Sequence, residues 1–292
     1  MLHSEATGRA AITGNPGDVY LKNALVLAYS IKNKAVVTLE DSAKLEISSP
    51  ENLDPGHRLI TQALKHFNIP QPLRISYSSN IPYMAGLGGS AAILTALISG
   101  LNQKYNLNLS NLKISQHALA IEHELGIKAG WQDRAATIFG SSLINCKNFS
   151  CTKLKSIPEN MFVAYYGKES SSGQIHKQGE EKSNDAEFHK LMSQTRILTK
   201  QAYKAIEKKD WLKLGKLMNR NWDIREQTLG LTKKDKQIKD LIFENKGYAN
   251  QAGSGGSAVI LDLNRTIKPV LKENNISTLD VVLNGGVKLW EP

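Results

Sequence analysis

The chain has 292 residues, 41% hydrophobic and 22% charged, which is an ordinary globular composition and enough length to bury a core without disulfide staples. Its net charge of +10 lies on lysines scattered over helical segments with no aromatic stacking platform interleaved, which argues against nucleic acid and leaves anionic small molecules as partners. No apolar run approaches the ~20 residues of a membrane span, and the start MLHSEATGRAAITG lacks a charged-then-apolar leader, so a cytoplasmic protein with two reduced thiols, Cys146 and Cys151, is expected.

Residues 8 to 50 read as strands, with AVVTLE (35–40) and KLEISS (44–49) alternating on either side of a D-S turn. Within them, GRAAITGNPGDVY (8–20) sets the turn Asn15-Pro16-Gly17-Asp18 between apolar stretches, bracketed by Arg9 and Asp18. Taken alone it suits a plain hairpin as well as a ligand loop. HRLITQALKHFN (57–68) is an amphipathic helix, and LRISYSS (73–79) is a strand that Pro82 brings to an end.

The next stretch is PYMAGLGGSAA (82–92). Gly86, Gly88 and Gly89 allow close approach to the backbone, and Ser90 can cap or open the helix AAILTALISGLN. Free N–H groups and the positive end of a helix would then converge on one spot, which suits phosphate. A lysine-bearing P-loop is excluded, because no lysine follows Gly89. The spacing Gly86-x-Gly88-x-x-Ala91 fits a dinucleotide fingerprint, but KYNLNLSNLK (104–113) lacks the acidic residue that fingerprint requires.

On the helix SQHALAIEHELG (115–126), Ala118, Leu119, Ile121 and Leu125 share one face, with Glu122 in its middle and Glu124 at its edge. A carboxylate among apolar side chains needs a compensating cation or hydrogen bonds. Glu122 is either a metal ligand or a salt-bridged glutamate. Asp133 follows in GIKAGWQDRAATIFG (126–140), in the first turn of a short helix. There it is a cap or, beside a cation, a group that accepts or orients a substrate proton.

Strands follow near 141–157 and at MFVAYYG (161–167), then long helices over roughly 185–246. KESSSGQIHKQGEE (168–181) reads as a substrate-side loop. NQAGSGGSAVILDL (250–263) places Gly253, Gly255 and Gly256 before a strand, and LDVVLNGGVKLW (279–290) returns to strand character. Mixed strands and helices in both halves leave α/β and α+β open, with a junction near 150–160.

GNPGDVY (14–20), NIPYMAGLGGSAA (80–92), HELGIKAGWQDR (123–134), LMNRNWDIRE (217–226) and AGSGGSAV (252–259) together resemble the GHMP kinase superfamily, and within it the glucuronokinase branch. The resemblance covers nearly the whole chain in the right order. It implies an α+β, two-domain GHMP kinase fold. The N-terminal ATP-binding domain (1–153) is of a ribosomal-protein-like α/β type and the C-terminal domain (154–292) is ferredoxin-like, with the active site between them.

The resemblance also implies an ATP- and Mg2+-dependent sugar 1-kinase that converts glucuronate to glucuronate 1-phosphate. Another sugar or sugar phosphate (a heptose 7-phosphate, galactose, another uronate) and a non-catalytic sugar binder are the alternatives. By the same resemblance, Gly86, Leu87, Gly88, Gly89, Ser90 and Ala91 hold ATP phosphates. Ser90 and Glu122 hold the metal, and Asp133 and Arg9 are catalytic. Asp18, Asp133, Gly253, Ser254 and Gly255 meet the substrate. A uronate carboxylate wants an arginine, for which Arg134, Arg220 and Arg225 are the candidates. Gly89 stands where many relatives carry a serine, and Asn250 where many carry a lysine. No nucleic-acid or membrane partner is expected, and the chain is expected to be a monomer or homodimer.

Overall fold

The computed structural model describes residues 1–50, 54–69, 72–167, 181–182 and 185–291. The expected substrate-side loop at 168–181 lies almost wholly outside the described residues. Among the described residues, eleven strands form one sheet. Its spine is β2 (Leu25–Glu40), sixteen residues long, which serves several partners along its length. β1 (Leu2–Thr13) runs antiparallel along one side of it. On the other side, its start pairs with β5 (Ser142–Asn145), its middle with β10 (Ser277–Val282), and its end with β4 (Arg74–Ser79). β11 (Val287–Trp290) extends the sheet beyond β1, and β6 (Ser150–Lys153) extends it beyond β5. From β10 the sheet continues through β7 (Met161–Tyr165) and β9 (Ser257–Leu261) to β8 (Tyr248–Gln251), every pair antiparallel.

The D-S turn does not close a hairpin. β3 (Glu46–Ser48) instead runs parallel to β4, and β4 lies between β3 and β2. Alternation marked both segments as strands, but strand pairing is a non-local choice that the alternation itself does not encode.

Helix α2 (Asp54–His66) is amphipathic as expected, and packs on α3 (Gly89–Tyr105) and α4 (Asn111–Glu124). α3 is apolar on nearly every side, and residues Ala91 to Leu101 are all buried. A helix of that kind has to be central, and α3 lies across β1 and β2. Short α1 (Gly17–Tyr20) follows the cis Asn15–Pro16 turn, so the first motif is not a plain hairpin. α5 (Gln132–Phe139) packs on β1, α3 and α4. The long helical region resolves into α6 (Ala186–Glu207), α7 (Trp211–Leu229) and α8 (Lys233–Glu244), N-capped by Asp185, Asp210 and Thr232. α9 (Ile267–Glu273) leads into β10. Among the described residues no helix is long and apolar enough to cross a membrane.

The expected α+β class is therefore what forms. The boundary expected at 153/154 falls in the connection between β6 and β7. One apolar cluster spans it, joining Leu27, Ile75 and Leu94 to Val163, Leu214 and Val259.

Candidate active site

The segment 84–91 borders a cavity of about 510 Å³. Three consecutive carbonyls of this segment are turned away from it. Ala85 O accepts from Ser257 Oγ at 2.6 Å, Gly86 O from Arg9 Nη1 at 2.7 Å, and Leu87 O from Arg9 N at 2.9 Å. Gly88 is the N-cap of α3, in the left-handed conformation at φ 77°. The Gly89, Ser90 and Ala91 N–H groups that follow have no acceptor inside the helix. With those carbonyls engaged by Arg9 and Ser257, the start of α3 offers its unpaired amides and the positive end of its dipole as a place for an anion. Ser90 is exposed and is not the cap, so its hydroxyl remains available beside those amides.

Arg9 joins three motifs that lie far apart in sequence. It projects from β1 with 3% of its surface exposed. Nε donates to Asp133 Oδ1 at 2.8 Å, and Nη2 lies 2.6 Å from the same oxygen. Nη1 donates to Gly86 O and, at 2.6 Å, to Ala252 O at the start of the third glycine-rich loop. That loop joins β8 to β9 and lies directly against the segment at 86. A Cβ at Gly253 would collide with Gly86 O, so only glycine allows this approach.

Asp133, in the first turn of α5, keeps 23% side-chain exposure and lines the cavity. Its neighbour Arg134 pairs with Glu122 across α4 and α5, and donates from Nη1 to Gly130 O at 2.9 Å. Glu122 is 1% exposed and Arg134 3%, so the carboxylate in the apolar face of α4 is compensated by a buried guanidinium. Burial pushes the Arg134 pKa down to about 9, with the Asp18 carboxylate opposing it, so the guanidinium remains charged near neutrality. Gln132 sits beside these residues, 6% exposed, with its amide oxygen enclosed at the cavity wall and without a donor among the described residues.

Asp18 stands behind Gly130 and Gln132 and does not line the cavity. Its Oδ2 accepts the Gln132 N–H at 3.1 Å, so it caps α5 from another element, where the N-cap Trp131 offers no side-chain bond. Burial, then the neighbouring Asp133 carboxylate, raise its pKa from 3.8 to about 7. Between those values the folded chain holds a proton that the unfolded chain has released. Its contribution to stability is therefore complete below 3.8 and is lost as pH rises through 7. Asp18→Asn keeps the cap and abolishes the titration. Thermal denaturation should show the variant several degrees more stable than the parent at pH 8, with little difference at pH 4. An equal shift at both values would mean that Asp18 does not titrate in this range.

The segment LMNRNWDIRE (217–226) lies within α7. Asn221 within it is fully buried. It accepts the Gly14 N–H at 2.8 Å, and donates to Asn15 O and Asn250 Oδ1 at 3.1 Å each. Asn250 closes the circuit by donating to Asn15 Oδ1 at 2.7 Å. Three buried asparagines thus lock the first motif, α7 and β8 together. One turn on, Arg225 reaches the cavity wall with 2% exposure.

Comparison with known proteins agrees with this architecture. Residues 58–141 match the GHMP kinases N terminal domain. That segment, from α2 through α5, is thus a GHMP kinases N terminal domain by sequence. It is 30% identical over 205 residues to a probable glucuronokinase 2 of Arabidopsis thaliana, a match covering 64% of this chain and 56% of that relative's length. Among solved structures it is similar to a Lin0012 protein from Listeria innocua, with TM-score 0.82 and 18% identity over 100% and 99% of the two chains. It is also similar to a Streptococcus pneumoniae phosphomevalonate kinase in complex with phosphomevalonate and AMPPNP, with TM-score 0.81 and 14% identity over 97% and 100%. Identities this low speak for the fold.

Of the residues expected from the GHMP resemblance, the cavity gathers Arg9, Gly86 to Ala91, Glu122, Asp133, Arg134, Arg225, Gly253 and Ser254. Asp18 and Gly255 are not on its wall. The position a Cβ would take at Gly255 faces Asp235 and Gln251 instead. Arg220 is exposed and meets Gln194 at 3.5 Å, away from the cavity. Gln132 and the asparagine network escape sequence reading, because neutral amides carry no periodic or charge signal. Asn250 was marked only as a departure from the GHMP pattern.

Proposed function

We propose that this protein is an ATP-dependent sugar kinase that phosphorylates the anomeric C1 hydroxyl of glucuronate, giving glucuronate 1-phosphate by direct phosphoryl transfer. The observation that carries this reading is the convergence of two features on one cavity. The amide-lined start of α3 can seat phosphates, and Asp133, held by Arg9, stands on the same wall. Phosphoryl transfer depends mostly on positioning and charge neutralisation, and this arrangement supplies both.

In this reading the ATP phosphates lie on the N–H groups of residues 88–91. Asp133 accepts or orients the proton of the attacking hydroxyl, and Arg9 both aims that carboxylate and faces the charge on the transferring group. Gln132 offers its amide oxygen to a sugar hydroxyl, and the Gly253–Ser254 loop closes the cavity opposite α3. Among the described residues no group of three or more His, Cys, Asp or Glu is arranged to hold a metal. Ser90 and Glu122 nevertheless present a hydroxyl and a carboxylate to the cavity, the donors magnesium takes when phosphates complete its shell. They would hold the ion, which supplies neutralisation of phosphate charge. The working units are residues 1–153 and 154–292, with the substrate between them.

The test is an ADP-release assay with D-glucuronate, D-galactose and a heptose 7-phosphate in the presence of magnesium, with the product examined by phosphorus NMR. Turnover of glucuronate with an anomeric phosphate is the expected result. Bound ATP without ADP release for any sugar would overturn the kinase reading and favour a sugar sensor.

A further inference from the structure

The cations around the cavity are not equivalent. Arg9 is committed to Asp133 and two carbonyls, and Arg134 to Glu122 and Gly130 O. Lys128 lies exposed at the mouth, 5.9 Å from the centre of the Tyr20 ring. Lys239, on the α8 side of Arg225, is held by Asp223 and Glu226 at 2.6 Å each. Arg225 differs from all of these. It is 2% exposed, lines the cavity, and makes no side-chain hydrogen bond or ion pair among the described residues, and its Nε is enclosed without an acceptor.

The carboxylate that acts on it electrostatically, Asp235, is occupied elsewhere. Asp235 accepts from Tyr166 Oη at 2.8 Å, Thr232 Oγ1 at 2.8 Å and Gly256 N at 3.3 Å, and forms no ion pair with Arg225. A desolvated guanidinium without a partner is costly to a folded protein. Here the helix that carries it is pinned by the Asn221 network, so the side chain cannot leave the wall with a small adjustment of the backbone.

We propose that Arg225 is the receptor for a carboxylate on the substrate, which makes the acceptor a sugar acid rather than a neutral or phosphorylated sugar. The inference rests on the kinase reading for the identity of the site, but its ligand chemistry is read from Arg225 itself. A planar guanidinium matches a carboxylate through two parallel N–H···O bonds. One uncommitted positive charge balances a monoanion. A phosphate monoester carries close to two negative charges near neutrality and would ask for a second buried cation. Each other buried cation described above already has its own carboxylate.

The experiment compares D-glucuronate, D-glucose and D-glucose 6-phosphate, which share one ring and differ at C6. Each is tested on the parent chain and on Arg225→Met, Arg225→Gln and Arg225→Lys. Two readouts are taken: kcat/KM in the ADP-release assay, and ligand binding by calorimetry without ATP. Glucuronate should be preferred by the parent. Arg225→Gln should lower its kcat/KM about 100-fold more than that of glucose, mainly through KM, with Arg225→Lys intermediate. Arg225→Met should melt no lower than the parent, since it removes a cation that has no partner in the fold.

Equal losses for glucuronate and glucose, or a clear drop in melting temperature for Arg225→Met, would make Arg225 structural and overturn the proposal. So would a parent that prefers the 6-phosphate. If no sugar is turned over, but calorimetry still shows glucuronate binding that needs Arg225, the kinase reading fails and the carboxylate receptor stands.

Discussion

Replacing Arg9 by methionine is expected to lower the melting temperature by about 10 °C and to abolish turnover. The stability loss follows from burial. Arg9 is 3% exposed and satisfies one carboxylate and two carbonyls, and deleting one partner of such a buried set costs about 3 kcal/mol. Methionine keeps the length of the stem, so the loss reports the guanidinium. The functional loss follows from connectivity. Without Arg9, the segment at Gly86, the loop at Ala252 and Asp133 are no longer held to one atom cluster. A thermal melt and an ATP-binding titration check this. A variant with a parental melting temperature would show that the three motifs are held by their own packing.

Asp133→Asn is the second expected loss. Under the proposed mechanism kcat should fall about 100- to 10,000-fold, the usual range for removing a general base, while ATP binding stays near parental. Asparagine still accepts from Arg9 Nε, so the site geometry survives while the negative charge does not. The cost to stability should be smaller than for Arg9→Met, because Asp133 retains 23% side-chain exposure and solvent screens its charge. A kcat decrease under tenfold would assign Asp133 to orienting the hydroxyl rather than accepting its proton. Glu122→Gln is a poorer probe of metal binding, because it would strip Arg134 of its buried counter-charge and mix folding with chemistry.

Much of the site was legible before any coordinates. Glu122 stood out as a carboxylate in an apolar stripe, and the structure buries it among Ile114, Ala118 and Ile121. The glycine crowding at 86–89 announced a backbone that something must approach closely. Two assignments shifted for physical reasons. For Glu122 the sequence leaves a metal ligand and a salt-bridged glutamate open, and the fold supplies the bridging cation, Arg134. Asp18 was expected to hold sugar hydroxyls, yet it caps α5 behind the cavity wall. Neither relation has a sequence signature, since each joins residues through the packing of separate elements.

Local properties were written in the chain itself. Alternation specified the strands, the apolar run of α3 required a central helix, and turn residues marked where the backbone bends. These follow from interactions between residues a few positions apart, which a linear pattern records. Tertiary structure decided the rest: the parallel placement of β3, the reach of Arg9 to residues 77, 124 and 243 positions away, and which arginine was left without a partner. Whether a charge is spent or available depends on what the fold places within about 4 Å of it. Arg134 and Arg225 look alike in sequence. Only packing gave one of them a carboxylate and left the other facing the cavity.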